Sequence, residues 1–171
     1  MNNIYLVGFM GTGKSAVGRE LAKKKKWKFA DLDELIQLRE KRLIADIFAK
    51  EDEKYFRRLE KQTLKEMAKE KHFVVACGGG VVIDADNIKV MKETGTIICL
   101  TATPTVIYAR TCRDAHRPLL NASDPKKQIE LLLKMRSAYY AKADKAIDTS
   151  NFSVKEVVAR ILRSGLKRCG K

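Results

Sequence analysis

The octapeptide Gly8-Phe9-Met10-Gly11-Thr12-Gly13-Lys14-Ser15 constrains this chain more than any other feature. It matches the G-x-x-x-x-G-K-[ST] pattern of Walker A phosphate-binding loops. It stands directly after the apolar run Ile4 to Val7, a strand candidate, and before a helical stretch. The chemistry needs these residue types. Glycines let backbone N–H groups turn inward around phosphate oxygens where a Cβ would obstruct them, and the following helix presents its positive N-terminus to the same anion. Lys14 then reaches the β and γ phosphates. Ser15 places a hydroxyl where a magnesium ion bridging those phosphates needs an oxygen ligand.

The rest of the chain keeps the rhythm of that first unit. Lys28 to Ala30, Phe73 to Cys77, Thr96 to Leu100 and Lys145 to Ile147 are further strand candidates. The segments between them carry helical periodicity: Phe56, Leu59, Thr63 and Met67 form one stripe, and Val154, Val157, Val158, Ile161 and Leu162 another. Strands alternating with helices predict βαβ units, a parallel sheet covered on both faces, and ligands bound beyond the carboxyl ends of the strands.

With 171 residues, 45% of them hydrophobic and 33% charged, one α/β domain accounts for the whole chain. Cys77, Cys99, Cys112 and Cys169 form no Cys-x-x-Cys pair, and two of them lie in apolar runs, so free thiols in a reducing cytoplasm are expected. The N-terminus lacks the basic and apolar regions of a secretory signal, and no stretch approaches the length of a membrane span. A cytoplasmic protein without a membrane partner follows. The net charge of +14, from 35 Lys and Arg against 21 Asp and Glu, favours anionic partners. The runs Lys23 to Lys26 and Lys167 to Lys171 read as solvated surface. No recognised nucleic-acid-binding motif accompanies them, so no nucleic-acid partner is expected.

The same cradle serves GTPases, motor ATPases and kinases of nucleotides and small metabolites. No Asn-Lys-x-Asp and no Asp-x-x-Gly is present, which disfavours a GTPase, and Phe73 to Cys77 does not end in the acidic residue of a usual Walker B strand. Carboxylates end the second strand instead, and alternation places Asp31 and Asp33 on one side of it. One of the two can organise magnesium while the other contacts an acceptor hydroxyl and takes its proton late in the transfer. Alternatively, Asp33 is the N-cap of a helix that begins at Glu34. The polar segment from Thr111 to Pro125, with Arg113, His116 and Arg117, reads as a lid that excludes water. By themselves Arg57, Arg58 and Glu60 read as a surface ion-pair cluster, and Gly78-Gly79-Gly80 as a tight turn.

Taken together, several pieces carry a resemblance. They are Gly8 to Ser15, Asp31-Leu32-Asp33, Ile44-Ala45-Asp46-Ile47-Phe48, Phe56-Arg57-Arg58-Leu59-Glu60, Gly78-Gly79-Gly80, Arg117-Pro118-Leu119-Leu120, and Arg136 with Tyr139 shortly after. Over nearly its whole length the chain closely resembles the shikimate kinases, enzymes that phosphorylate the 3-hydroxyl of shikimate with ATP. The resemblance implies a three-layer P-loop NTPase fold of the nucleoside-monophosphate-kinase type, with a central five-stranded parallel sheet in the order 2-3-1-4-5. It implies a single domain over residues 1–171, with a substrate-binding segment at 32–60 and a lid at 111–125.

The resemblance also implies roles. ATP and Mg2+ are the expected cofactors. Gly11, Thr12, Gly13, Lys14, Ser15 and Ala16 contact the nucleotide, Arg110 stacks on adenine, and Arg117 closes from the lid on the phosphates. Ser15 and Asp31 attend the metal. Asp33 contacts the acceptor hydroxyls, Arg57 and Arg136 hold the shikimate carboxylate, and the backbone of Gly78, Gly79 and Gly80 approaches the acceptor ring. Lys14, Asp33 and Arg117 are then the catalytic candidates. Planar guanidinium clamps suit a small carboxylic acid because two of them fix its pose, and Glu60, one helical turn from Arg57, can hold that arginine in place.

Leu43 and Ala16 depart from the usual Ser or Thr at their positions, and the loop after Asp148-Thr149 lacks a proline often found in the family. A monomer with a small-molecule substrate is expected. Two other functions stay open. Another small-metabolite or nucleotide kinase would lack the paired arginines. A non-catalytic nucleotide-sensing or nucleic-acid-binding protein would bind nucleic acid in a salt-dependent way and show no acceptor-stimulated ATP turnover.

Overall fold

The computed structural model describes residues 3–112 and 124–165. Strands β1 (Asn3–Val7), β2 (Lys28–Asp31), β3 (Phe73–Ala76), β4 (Gly95–Thr101) and β5 (Lys145–Asp148) form one sheet. Their order is β2-β3-β1-β4-β5, and every pairing is parallel. Each strand expected from the sequence is present, its ends moved by at most one residue.

Alternation in β1 divides the core. Tyr5 and Val7 join Val75, Ile97 and Cys99 on one face of the sheet, under Leu32 of helix α2 (Leu32–Glu40), Leu64 of α4 (Glu53–Met67) and Met91 of α5 (Ala85–Thr94). Ile4 and Leu6 join Val74, Ile98 and Leu100 on the other, against Val17 and Leu21 of α1 (Lys14–Lys25) and Val157, Val158 and Ile161 of α8 (Val154–Arg163). Each such aliphatic side chain contributes about 1.5–3 kcal/mol by leaving water. The stripe expected on α8 is narrower than its sequence pattern, since Val154 and Leu162 stay 37% and 41% exposed at its margins.

The 32–60 segment has a small core of its own. Ile36 of α2, Ile47 of α3 (Ile44–Lys50) and Phe56 of α4 pack together with Ile44, Tyr55 and Leu59. Leu43 stands at the N-cap of α3 and supplies no side-chain bond. Gln37 of α2 compensates, its Oε1 accepting the Ile44 N–H at 3.1 Å. Helices α6 (Pro104–Thr111) and α7 (Pro125–Tyr140) flank the described chain on either side of residues 113–123. Thr111 therefore ends a helix, and Pro125 opens one capped by Asp124. The remainder of the expected lid, with Arg117, lies outside the described residues.

Among the described residues Cys77, Cys99 and Cys112 are free, the first two buried. No described helix is long and apolar enough to cross a membrane. Because all strands run the same way, the carboxyl ends of β1, β2 and β3 meet at one edge. The candidate residues gather there.

Candidate active site

The cradle hangs from the end of β1. Gly8 has φ 135°, and a Cβ on it would overlap the carbonyl oxygen of Leu100 on the adjacent β4, so only glycine fits. Gly13, at φ 90°, is the left-handed N-cap from which α1 starts. Thr12 is buried and donates its hydroxyl to the Phe9 carbonyl at 2.8 Å, which ties the loop to itself. Lys14 Nζ donates to the carbonyl oxygens of Gly8 and Phe9, both at 3.1 Å, and is held over the loop. Ala16 is exposed on the first turn of α1.

Asp31 ties the cradle to the second strand. Its Oδ2 accepts the Ser15 hydroxyl at 2.6 Å, while its Oδ1 accepts the backbone N–H of Asp33 at 3.1 Å and so caps α2. The helix starts two residues earlier than an N-cap at Asp33 implies. Asp31 is the cap, the helix begins at Leu32 rather than Glu34, and Asp33 sits in the first helical turn. A short acidic side chain at the strand end satisfies an orphan helix N–H, and that bond turns the chain. Asp33 nonetheless faces the site: its Oδ1 lies 3.2 Å from where a Cβ on Gly78 would stand.

Arg110, in the last turn of α6, is built into the rim of the cradle. It donates to the Gly11 carbonyl at 3.2 Å and to the hydroxyl and carbonyl oxygens of Thr149 at 3.1 and 2.9 Å. Thr149 is buried, and its hydroxyl also reaches the carbonyl oxygens of Thr12 and Thr101. Thr149 joins the cradle to the loop after β5, a link that sequence reasoning missed because a single Thr carries no pattern.

The second cluster lies beyond β3. On α4, Arg57 Nη1 donates to Glu60 Oε2 at 2.7 Å, and its Nε and Nη2 donate to Glu53 Oε1 at 3.2 and 3.0 Å. The guanidinium lies against Gly80, where a Cβ would stand 2.5–2.6 Å from it. Glu60 is buried, and its other oxygen, Oε1, has no hydrogen-bond partner among the described residues. Burial pushes the Glu60 carboxyl above its ordinary value; Arg57 pulls it back, and the neighbouring Asp33 charge adds to the rise. Arg58 leaves this group and lies exposed beside the Tyr55 ring, so the apparent ion-pair cluster of the sequence divides into a site arginine and a surface one.

Arg136 enters from α7. Its Nη1 stands 3.5 Å from where a Cβ on Gly79 would be, and its guanidinium carbon lies 5.8 Å from the Phe9 ring centroid. Tyr140 donates its hydroxyl to the Gly79 carbonyl at 2.8 Å. Burial raises its pKa to about 12, so it keeps its proton. The sequence reading had paired Arg136 with Tyr139, which instead packs into the core beside β3. Tyr139 and Tyr140 lie three and four residues on from Arg136, both within a helical turn of it, so spacing alone does not choose between them. Glu53 was also missed, although it stands four residues before Arg57 on a helix that sequence periodicity had identified.

Asp33, Arg57, Gly78, Gly79, Gly80 and Arg136 are thus neighbours, and through Gly79 they adjoin Gly8 of the cradle, whose carbonyl oxygen is 3.4 Å from the Cβ position of Gly79. A family model described as shikimate kinase matches residues 10–165 of this chain. The chain belongs to the shikimate kinase family. A shikimate kinase of Thermoanaerobacter pseudethanolicus is 39% identical over 167 residues, covering 98% of both chains. One from Caldanaerobacter subterraneus subsp. tengcongensis is 40% identical over the full length of both. A solved shikimate kinase of Acinetobacter baumannii, in complex with shikimate, superposes with a TM-score of 0.92 at 36% identity, over 96% of this chain and 92% of its own. The shikimate kinase resemblance and the P-loop kinase fold with strand order 2-3-1-4-5 both stand.

Shikimate kinases take a nucleotide, and the oxygen donors at the cradle suit its metal. Among the described residues no three His, Cys, Asp or Glu cluster into a protein cage. Ser15 and Asp31, two adjacent oxygen donors at the cradle mouth, are the type of partial ligand set that leaves Mg2+ its waters and phosphate oxygens.

Proposed function

We propose that this protein transfers the γ-phosphoryl group of ATP to the 3-hydroxyl of shikimate, giving ADP and shikimate 3-phosphate, a step of chorismate and aromatic amino-acid synthesis. The observation that carries the acceptor is the pair of guanidinium groups flanking the Gly79-Gly80 turn. Arg57 rests on Gly80 and Arg136 on Gly79, with the Asp33 carboxylate beside Gly78. Two planar donors suit a carboxylate, and an acid next to them suits a hydroxyl.

In this reading Arg57 and Arg136 hold the acceptor carboxylate while the backbone of Gly78, Gly79 and Gly80 lies along its ring. Asp33 orients the acceptor hydroxyl and takes its proton late, because phosphoryl transfer is largely dissociative. Gly11, Thr12, Gly13, Lys14, Ser15 and Ala16 embrace the phosphates, Arg110 borders the adenine, and Lys14 and Arg117 spread the developing charge. Ser15 and Asp31 would hold magnesium, which would supply positive charge against the phosphates there.

We further infer a single domain over residues 1–171, with its acceptor segment at 32–60 and lid at 111–125. It acts as a cytoplasmic monomer and binds neither nucleic acid nor membrane.

ADP release from MgATP, measured with and without shikimate and beside quinate, AMP and gluconate, tests the proposal. Stimulation by shikimate alone is expected. Stimulation by another acceptor instead would keep the cradle and overturn the acceptor site. No stimulation by any would favour a sensing protein.

A further inference from the structure

Arg136 and Tyr140 stand four residues apart in α7 and share one helix face. That face meets a single small residue. A Cβ on Gly79 would lie 3.5 Å from Arg136 Nη1, 3.7 Å from the Tyr140 hydroxyl and 3.4 Å from the Gly8 carbonyl oxygen. Gly79 is therefore where the helix of one carboxylate clamp, the turn after β3 and the first residue of the cradle touch. A directional bond crosses this junction, from the Tyr140 hydroxyl to the Gly79 carbonyl oxygen at 2.8 Å.

Packing holds the ring on two sides. Tyr140 lies against both the core cluster beside β3 and the separate cluster of Phe9, Ile107 and Ile129. The hydroxyl then has a more specific consequence. No described peptide bond is cis, and in a trans peptide the carbonyl and the next N–H point in opposite directions. A bond that fixes the Gly79 oxygen therefore fixes the Gly80 N–H as well. Gly80 is also the surface against which the Arg57 guanidinium lies.

We propose that Tyr140 is a positioning residue for the acceptor: by donating to Gly79 it struts the Gly78–Gly80 turn against α7 and sets the separation of the two carboxylate clamps. One clamp, Arg57, belongs to α4 and the other, Arg136, to α7, and among the described residues no disulfide ties the two helices. A bidentate grip by two guanidinium groups tolerates only about half an ångström of error, so a strut between their supports acts on acceptor capture. Tyr140 touches neither ATP nor the reacting atoms in this account. The proposal rests on the shikimate reading of the site.

Tyr140→Phe tests it, because the ring and its packing stay while the hydroxyl goes. The KM for shikimate is expected to rise about tenfold, as befits loss of uniform binding. Both kcat and the KM for ATP should stay within about twofold, with the thermal midpoint little moved. Para-aminophenylalanine introduced at position 140 returns a donor to the ring and should recover most of the loss. Combined with Arg136→Lys, the Tyr140→Phe effect should fall short of the product of the two single effects, since both act on one clamp.

An unchanged shikimate KM in Tyr140→Phe would overturn the proposal. Equal rises in both substrate KM values with a lowered midpoint would also do so, as would failure of the variant to fold, because the hydroxyl would then serve stability alone. A wild-type protein not stimulated by shikimate would instead overturn the function, and the two failures are told apart by that control.

Discussion

Glu60 sits where a carboxylate is costly, buried in α4 between Arg57, the Gly78 backbone and Asp33. Burial is the main cause of its raised pKa. Its proton therefore returns at a higher pH than it would to an exposed glutamate, and on return the charge-assisted bond that aims Arg57 weakens. As pH falls, the KM for shikimate should climb with a midpoint above the ordinary 4.5 of a glutamate. Glu60→Gln should flatten that climb while raising KM a few-fold at neutral pH. Steady-state kinetics across pH check it, and a climb unchanged in the variant would assign the titration elsewhere.

Gly80 offers a cleaner separation of fold from function. Its φ of −99° suits any residue, and the atoms nearest an added Cβ are those of the Arg57 guanidinium. The thermal midpoint should hold while the KM for shikimate rises about tenfold. Neither role is legible from the residue types alone. Arg57 and Glu60 look like a surface pair until the tertiary fold shows which face of α4 is inside, and Tyr140 is displaced by one position from the tyrosine that the family pattern suggested.

Among the elements, the strands are the most legible, because a parallel strand buried on both faces is a plain apolar run. The 32–60 segment is the least. Its helices are short, and breaks such as left-handed Lys41, at φ 53°, carry no glycine to announce them. The end of β2 shows how a capping bond overrides alternation, for Asp31 starts α2 and carries Asp33 onto a helix.

Asp31 caps α2, and the proposed reading gives it magnesium as a second task, which substitution can part from the first. Asn caps a helix as well as Asp, so Asp31→Asn should leave stability near wild type, whereas Asp31→Ala should cost about 1 kcal/mol, or about 2–4 °C in a chain of this size. Both should slow turnover and raise the magnesium needed for half-maximal rate. An Asn variant with wild-type magnesium dependence would reduce Asp31 to a cap.

At the scale of the whole molecule, the proposed nucleotide and acceptor sites share one edge of one sheet, one in the loop after β1 and the other in the turn after β3. Ligands bound there stabilise the native state by mass action, about 2.7 kcal/mol at a hundredfold excess over Kd. Thermal melts should therefore rise about 5–10 °C with shikimate at that excess, and a melt indifferent to shikimate would speak against a preformed acceptor site. The parallel sheet and the edge for ligands were foreseeable from strand–helix alternation and the strand order from the family resemblance, but the charge of +14 was not informative, since it names a class of partner and no position.

The strand order also has a consequence for solvent exchange. β1 lies between β3 and β4, with every residue buried, and leads straight into the cradle. Its amide hydrogens can trade with deuterium only when the whole domain opens, so they read global stability rather than local breathing. The strand that carries the phosphate loop is thus a built-in gauge: whatever a ligand adds to the stability of the fold should appear, in the same proportion, as slower deuterium uptake at Tyr5 and Leu6.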